Sequence, residues 1–180
     1  MKGRLILEAG TIFEGKAFGY IEDSVGEVVF NTSMTGYQEI LTDPSYYGQI
    51  VTITYPLVGN YGINLEDKES DGIKVSGFIV REKSDMPSNF RCEMDIDTYL
   101  KQSKVIGLEV IDTRALTKIL RNRGTMRGII TTEHTKLSDV KSKIEAFDNS
   151  QAVRMVGRKA VEHIAGPGKR VAIMDYGVKE

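Results

Sequence analysis

The stretch Glu27–Pro56, EVVFNTSMTGYQEILTDPSYYGQIVTITYP, constrains the fold more than any other part of the chain. It opens with the apolar, strand-like run Val28-Val29-Phe30. That run stops at Asn31-Thr32-Ser33, whose side chains compete for backbone hydrogen bonds and favour turns and helix caps. Tyr37, Ile40 and Leu41 follow at i, i+3 and i+4, the spacing of one helical face. Pro44 disfavours the α region at Asp43 and breaks the helix there. Ile50 to Tyr55 is rich in β-branched and aromatic residues, a strand pattern that Pro56 ends. The unit reads strand, polar corner, short helix, polar corner, strand. Local pattern alone makes the corners turns; their place beside two buried strands also makes them a candidate site.

The flanking chain alternates β and α patterns. Arg4 to Glu8 and Thr11 to Phe18 read as two strands joined in a tight hairpin at Ala9-Gly10. Gly10 to Lys16 matches the first seven positions of the P-loop pattern, but Ala17 lacks the hydroxyl needed at the eighth. The interior Thr-Ile-Phe-Glu is strand-like, so phosphate binding is not expected. Gly19 to Gly26 reads as a polar connection, Leu57 to Gly62 as a Gly-rich turn, and Glu66 to Asp71 as a solvated acidic loop. Ile73 to Arg81 has a strand pattern, and Ser84 to Asn89 is loop. Asp95 caps a short helix with Ile96, Tyr99 and Leu100 on its apolar face. Val105 to Ile111 reads as a buried strand.

Asp112 is the N-cap of the best helix, which carries Ala115, Leu116, Ile119 and Leu120. Lys118, Arg121 and Arg123 sit late, where cations suit the helix dipole, and Gly124 is the stop. Thr113 and Arg114 read as first-turn residues, with a ligand or partner contact as the second reading. Gly128 to Thr132 is another strand, and Ser138 caps a third helix with Val140, Ile144 and Phe147. Alternating helix and strand favour a parallel or mixed sheet covered by helices, an α/β fold to which the hairpin adds an antiparallel element.

Composition narrows the function. At 180 residues the chain suits one domain with an appendage and can bury a real core. A net charge of -1 gives no electrostatic case for nucleic acid. The single cysteine, Cys92, excludes an intramolecular disulfide or a multi-cysteine zinc site and suits a reducing compartment. No apolar run approaches the ~18 residues that span a bilayer, and Leu5-Ile6-Leu7 is too short for a signal sequence. The expectation is a soluble cytoplasmic protein. Cys92 reads as a bystander thiol, because nothing in the sequence pairs it with His134 or His163. No catalytic residue and no metal site are expected.

FNTSMTGYQEILTDPSYYGQIVTITYPLVGNYG, from Phe30 to Gly62, resembles the N-terminal part of the small, glutamine-amidotransferase subunit of carbamoyl-phosphate synthetase. Ser88-Asn89-Phe90-Arg91, Ile111 to Thr117 and Met174 to Lys179 match in family order. The likeness is close over residues 5 to 130, weak from 135 to 168, and returns at the end. It implies a layered β/β/α "swivelling" domain over residues 1–150, with mixed sheets and about three helices. Gly166-Pro167-Gly168-Lys169 marks a linker over 151–169. Residues 170–180, with the run Val171 to Met174, are then the orphan first strand of a truncated class I glutamine amidotransferase domain, exposed and open to pairing with another chain.

The resemblance also implies a role. In the family, the small subunit hydrolyses glutamine and passes ammonia to a large ATP-dependent subunit, which makes carbamoyl phosphate for arginine and pyrimidine biosynthesis. The implied partner is that large subunit, in a heterodimer; ATP and magnesium are expected only there, and no cofactor in this chain. The amidotransferase cysteine, on a Gly-x-Cys-x-Gly elbow, and its histidine and acid are absent here, so the chain alone is expected to be inactive. By resemblance Ser45, in Thr42-Asp43-Pro44-Ser45-Tyr46, touches bound glutamine from the N-terminal domain. Tyr47-Gly48 just after it departs from some relatives. A free-standing small-metabolite-binding module and a pure subunit-interface scaffold are the competing readings.

Overall fold

The computed structural model describes residues 1–132, 135, 137–174 and 176. Strands β1 (Lys2–Leu7) and β2 (Ile12–Gly19) form the expected hairpin, with Leu5 opposite Phe13. β3 (Ser24–Asn31) leads through α1 (Tyr37–Thr42) and a 3-10 turn at Pro44–Tyr46 to β4 (Gln49–Ile53). Next come β5 (Leu57–Val58), β6 (Gly77–Ile79), β7 (Glu82–Lys83), α2 (Ile96–Gln102) and β8 (Ile106–Glu109). α3 (Thr113–Arg123), β9 (Met126–Thr132), α4 (Leu137–Ala146) and α5 (Ala152–Val156) complete the order.

The sheet is mixed, as the alternating pattern implied. β3, β4, β6 and β8 pair in parallel, and each such pair needs a crossover. The segment containing α1 makes the first and the segment containing α2 makes the third. β8 then pairs antiparallel with β2, β2 with β1, β1 with β9, and β9 with β3. The ring β1-β2-β8-β6-β4-β3-β9 is a closed barrel, with β5 and β7 as a separate two-stranded sheet. Closure leaves no open edge on the main sheet.

Side-chain alternation divides the apolar residues between two faces. Ile50 of β4 joins Leu5, Val28, Ile79, Leu108 and Ile130 in one buried cluster, to which α3 adds Leu116 and Leu120. Val51 and Ile53, its alternating neighbours, belong to a second cluster with Leu41, Phe78, Ile96 and Leu100. That second cluster is where α1 and α2 cover the barrel. Each fully buried Leu or Ile contributes about 1.5–3 kcal/mol. Gly107 lies against the ring of Phe18, so any side chain there would strike the aromatic carbons.

Two of the three helix caps read from the sequence, Asp95 and Asp112, are present. The Asp95 carboxylate accepts from Thr98 N at 2.9 Å, and Asp112 accepts from Ala115 N at 2.9 Å. Gly124 follows α3 at φ 86°, and Arg121 and Arg123 occupy the last turn. Differences arise where pairing partners are distant in sequence. β3 begins at Ser24 because β9 pairs with it there, Ser24 opposite Ile130. β6 keeps only Gly77–Ile79, because Lys74 N instead donates to Leu41 O at 2.8 Å, beside the end of α1. Ser138 lies inside α4 rather than capping it, and its hydroxyl donates to Asp139 Oδ1 at 2.9 Å. Among the described residues there are five α-helices; α5, in the stretch with a poor apolar pattern, had no sequence signal. Val171 to Met174 are exposed and join no ladder among the described residues.

α4 is held by both packing and charge. Val140 and Ile144 bury against Ile6 and Ile129. Asp23, just before β3, accepts from Lys143 Nζ at 2.8 Å, Thr131 Oγ1 at 2.5 Å and Thr135 Oγ1 at 3.0 Å. Burial pushes the Asp23 pKa up, but these three donors outweigh it and hold the carboxyl below its ordinary value. A depressed folded-state pKa contributes stability above the unfolded carboxylate pKa of about 4 and loses it as pH falls through the folded value. Asp23→Asn is therefore expected to lower the urea midpoint near neutral pH, with the gap to the parent shrinking as pH falls below about 4. A gap that stays constant from pH 7 to 3 contradicts the ion-pair account.

Candidate functional site

The two polar corners flank α1, and they hold each other. Asn31 ends β3; its Oδ1 accepts from Ser33 N at 2.7 Å and turns the chain. Its Nδ2 donates to the Tyr46 hydroxyl oxygen at 3.0 Å, joining the first corner to the second. At the second corner the Asp43 carboxylate accepts from Ser45 N at 2.8 Å, which caps the 3-10 turn that Pro44 opens.

Ser45 sits on that turn, exposed, and its hydroxyl makes no hydrogen bond among the described residues. The chain then passes through Gly48 at φ 73°, a left-handed conformation that glycine adopts freely. The Asn149 side chain lies over Gly48 and donates from Nδ2 to Tyr47 O at 2.8 Å. Tyr47-Gly48 thus gives the loop a shape that admits a polar side chain from the end of the domain.

α1 is fixed by groups outside it. Its N-cap, Gly36, has no side chain to cap with. The Tyr61 hydroxyl oxygen substitutes, accepting from Gly36 N at 2.8 Å and from Tyr37 N at 3.3 Å. The Tyr37 and Tyr61 rings stack at 4.3 Å with a 22° tilt, and Tyr37 OH donates to Gly62 O at 2.5 Å. Burial raises both phenol pKa values, and at Tyr37 the Tyr61 ring adds to the rise; the Gly36 and Tyr37 N–H groups pull Tyr61 back only in part. Both phenols therefore act as neutral hydrogen-bonding groups near pH 7.

Gln38 is buried, and its amide exchanges two hydrogen bonds with the backbone of Asn64, one of them Asn64 N to Oε1 at 3.0 Å. Asn64 in turn donates from Nδ2 to Asp67 Oδ2 at 2.8 Å, and Arg91 reaches Asp67 Oδ1 at 2.9 Å. The Asn64 amide first, and Arg91 after it, hold the Asp67 carboxyl below its usual value. The acidic loop read at Glu66 to Asp71 is thus tied to the Ser88-Asn89-Phe90-Arg91 segment.

Among the described residues no catalytic constellation forms around the other candidates. The Cys92 thiol is half-buried, points at Met94 O at 3.5 Å and packs under Gly62. No hydrogen bond or ion pair joins it to an imidazole among the described residues. His163 lies in an exposed segment, and His134 falls outside the described residues. Among the described residues no group of three His, Cys, Asp or Glu side chains is placed to hold a metal. Gly10 to Lys16 runs through the hairpin turn and β2, with no helix after it. Thr113 is buried in the first turn of α3 and Arg114 is exposed.

The clefts lie elsewhere. One, about 1040 Å³, is walled by the exposed segment from Arg158 to Met174 and by no residue of the barrel. A shallow cleft of about 320 Å³ is lined by Lys16, Lys83 and Lys101 with their acids. There Lys16 pairs with the buried Glu109 at 3.3 Å, Lys83 with Asp85 at 2.5 Å and Lys101 with Asp97 at 2.5 Å, so the charges cancel in place. Ser45 lines neither cleft.

The family model described as carbamoyl-phosphate synthase small chain, CPSase domain, matches residues 5–130. A carbamoyl phosphate synthase small chain of Clostridium perfringens is 66% identical over all of this chain and 52% of its own length. The pyrimidine-specific small chains of Halalkalibacterium halodurans and Bacillus subtilis are 48% and 47% identical over 99% of this chain and 50% of theirs. An aminopeptidase from Aneurinibacillus sp. strain AM-1 overlaps 72% of this chain and 30% of its own at 19% identity and a TM-score of 0.42, a likeness that carries no weight. The barrel with its helical cover is thus a small-chain domain of this enzyme group. The chain belongs to the carbamoyl-phosphate synthase small-chain family, and it spans about half the length of the curated relatives it matches, their N-terminal half.

The two corners are marked by local pattern, whereas the groups that brace them are not. Tyr61 was read only as part of a Gly-rich turn, and Asn149 fell in a stretch with no pattern. Tyr61→Phe is expected to cost about 1–3 kcal/mol in urea unfolding, because part-buried N–H groups at the start of α1 lose their acceptor. A loss well under about 0.5 kcal/mol would show that water replaces the phenol oxygen.

Proposed function

We propose that this chain is the partner-docking and glutamine-facing half of a carbamoyl-phosphate synthase small subunit. In this reading the small subunit hydrolyses glutamine in the cytoplasm and supplies ammonia to a large ATP- and magnesium-dependent subunit. The product serves arginine and pyrimidine biosynthesis, the latter in keeping with the pyrimidine-specific names of two relatives. The reactive cysteine, its histidine and its acid belong to an amidotransferase domain that starts near residue 170, with 151–169 as the linker. This chain alone binds and positions but does not catalyse.

One observation carries the reading: Ser45 presents a hydroxyl with no hydrogen-bond partner among the described residues from a corner tied down on both sides. A serine hydroxyl both donates and accepts, which suits the ammonium and carboxylate of an amino acid. The Asn149 contact adds that the segment leading into α5 passes beside this corner, at Tyr47. One hydroxyl nets only about 0.5–1.5 kcal/mol, too little to bind a ligand alone. Ser45 is therefore one contact of a composite pocket whose remainder is the amidotransferase domain. That separates this reading from the free-standing metabolite module, which needs an enclosed cavity at the corners.

Two measurements test it. The 180-residue chain is expected to give no glutamine hydrolysis above buffer; turnover would refute the division of labour. In the full-length small subunit assembled with its large partner, Ser45→Ala is expected to raise the KM for glutamine about 2- to 10-fold with little change in kcat. An unchanged glutamine dependence would leave the chain a scaffold only.

A further inference from the structure

We infer that Asn149 is a positioning residue for the Ser45 turn, coupling the end of the barrel domain to the glutamine contact. The inference rests on the reading of Ser45 given above and deepens it. Three side-chain ties hold the turn, beside a backbone bond from Gly48 N to Lys74 O at 3.3 Å. Asp43 caps it from within, Asn31 grips Tyr46 from β3, and Asn149 grips Tyr47 O from 102 positions further along the chain. The first two ties come from the strand-helix-strand unit itself. Only the third joins the turn to the segment that leads out of the domain.

The fit around Asn149 is specific. A Cβ on Gly48 would lie 2.5 Å from Asn149 Oδ1 and 2.9 Å from its Cγ, so the amide occupies space that glycine vacates. Gly48 is at φ 73°, so the backbone and the amide impose the same residue for independent reasons. Asn149 is itself held at the start of a turn: Ala152 N donates to its main-chain oxygen at 3.0 Å, and α5 begins there. The side chain is thus fixed at its base and bonded at its tip. Gln49, one residue beyond Gly48, opens β4 and pairs opposite Glu27, so the turn is bounded by the barrel wall on its far side. Removing the amide leaves the Tyr47–Gly48 peptide with only the 3.3 Å bond from Gly48 N to Lys74 O among the described residues, so the turn that carries Ser45 is expected to loosen. Displacements of this kind weaken ligand contacts without touching the chemistry.

The test uses the full-length small subunit paired with its large subunit, in Asn149→Ala, Asn149→Asp, Ser45→Ala and the Asn149→Ala/Ser45→Ala double variant. Asn149→Ala is expected to raise the KM for glutamine about 2- to 10-fold and by no more than Ser45→Ala does, with kcat at saturating glutamine within about twofold. Asn149→Asp keeps the shape, loses the donor and should match or exceed that rise. The double variant should be no worse than Ser45→Ala, because both changes act through one contact. If Ser45→Ala raises KM and Asn149→Ala does not, the positioning role is wrong while the glutamine reading stands. If Ser45→Ala leaves KM unchanged, the reading beneath it falls. If Asn149→Ala lowers ammonia-driven and glutamine-driven rates in the same proportion, the residue only supports folding or assembly, and the inference is overturned.

Discussion

β9 pairs on both sides, with β1 through Leu5 opposite Ile130 and with β3 through Val28 opposite Met126. Everything else depends on that double pairing. Without it the barrel would open into a sheet edged by β1 and β3, with the hairpin joined to the parallel strands only through β2 on β8. With it, the barrel gives α1 and α2 one continuous wall to pack on. Glycines on β1, β2, β6 and β9 let that wall approach itself closely. Gly3, for example, has Leu108 Cδ1 only 2.8 Å from where its Cβ would sit. The chain must travel from residue 7 to residue 126 before these contacts form, so closure is non-local and is expected to be late in folding.

The barrel also explains why the corners are stiff. β3 and β4 are neighbours in register, Asn31 opposite Ile53, so both ends of the α1 crossover are anchored to one sheet. α1 is only six residues long and has no cap of its own, and it would not persist in isolation. It persists because Leu41 is fully buried and because Tyr61, Gln38 and Thr42 connect it to the loops at 59–70. Rigidity at Ser45 is thus borrowed from tertiary packing, not supplied by local propensity.

That division follows what a reading of residues can and cannot reach. The hairpin, the caps at Asp95 and Asp112, the stop at Gly124 and the apolar face of α1 are local patterns, and each was legible. The earlier start of β3 at Ser24 and the shortening of β6 were not, because their partners lie on β9 and at the end of α1. Barrel closure had no signature beyond alternating apolar residues, which an open layered sheet also shows. Within the site, Ser45 was reached through the resemblance of its segment and not through chemistry, since a corner serine has no distinguishing spacing. Asn149 had neither route, for it sits where the family likeness is weak. Val110, exposed at φ 65°, is a β-branched residue in a strained conformation next to α3; the sequence has no trace of that strain.

A site made from one exposed hydroxyl places its demand on geometry more than on contact strength. A flexible loop bearing the same serine would have to be ordered on binding, at about 0.5–1.5 kcal/mol for each immobilised side chain. That cost is comparable to the whole net value of the hydrogen bond. Only a corner already held can leave a useful surplus. The ties from Asn31, Asp43 and Asn149 are of that kind, since each is made before any ligand arrives. On the proposed reading of Ser45, what the barrel contributes is the fixed placement of one hydroxyl.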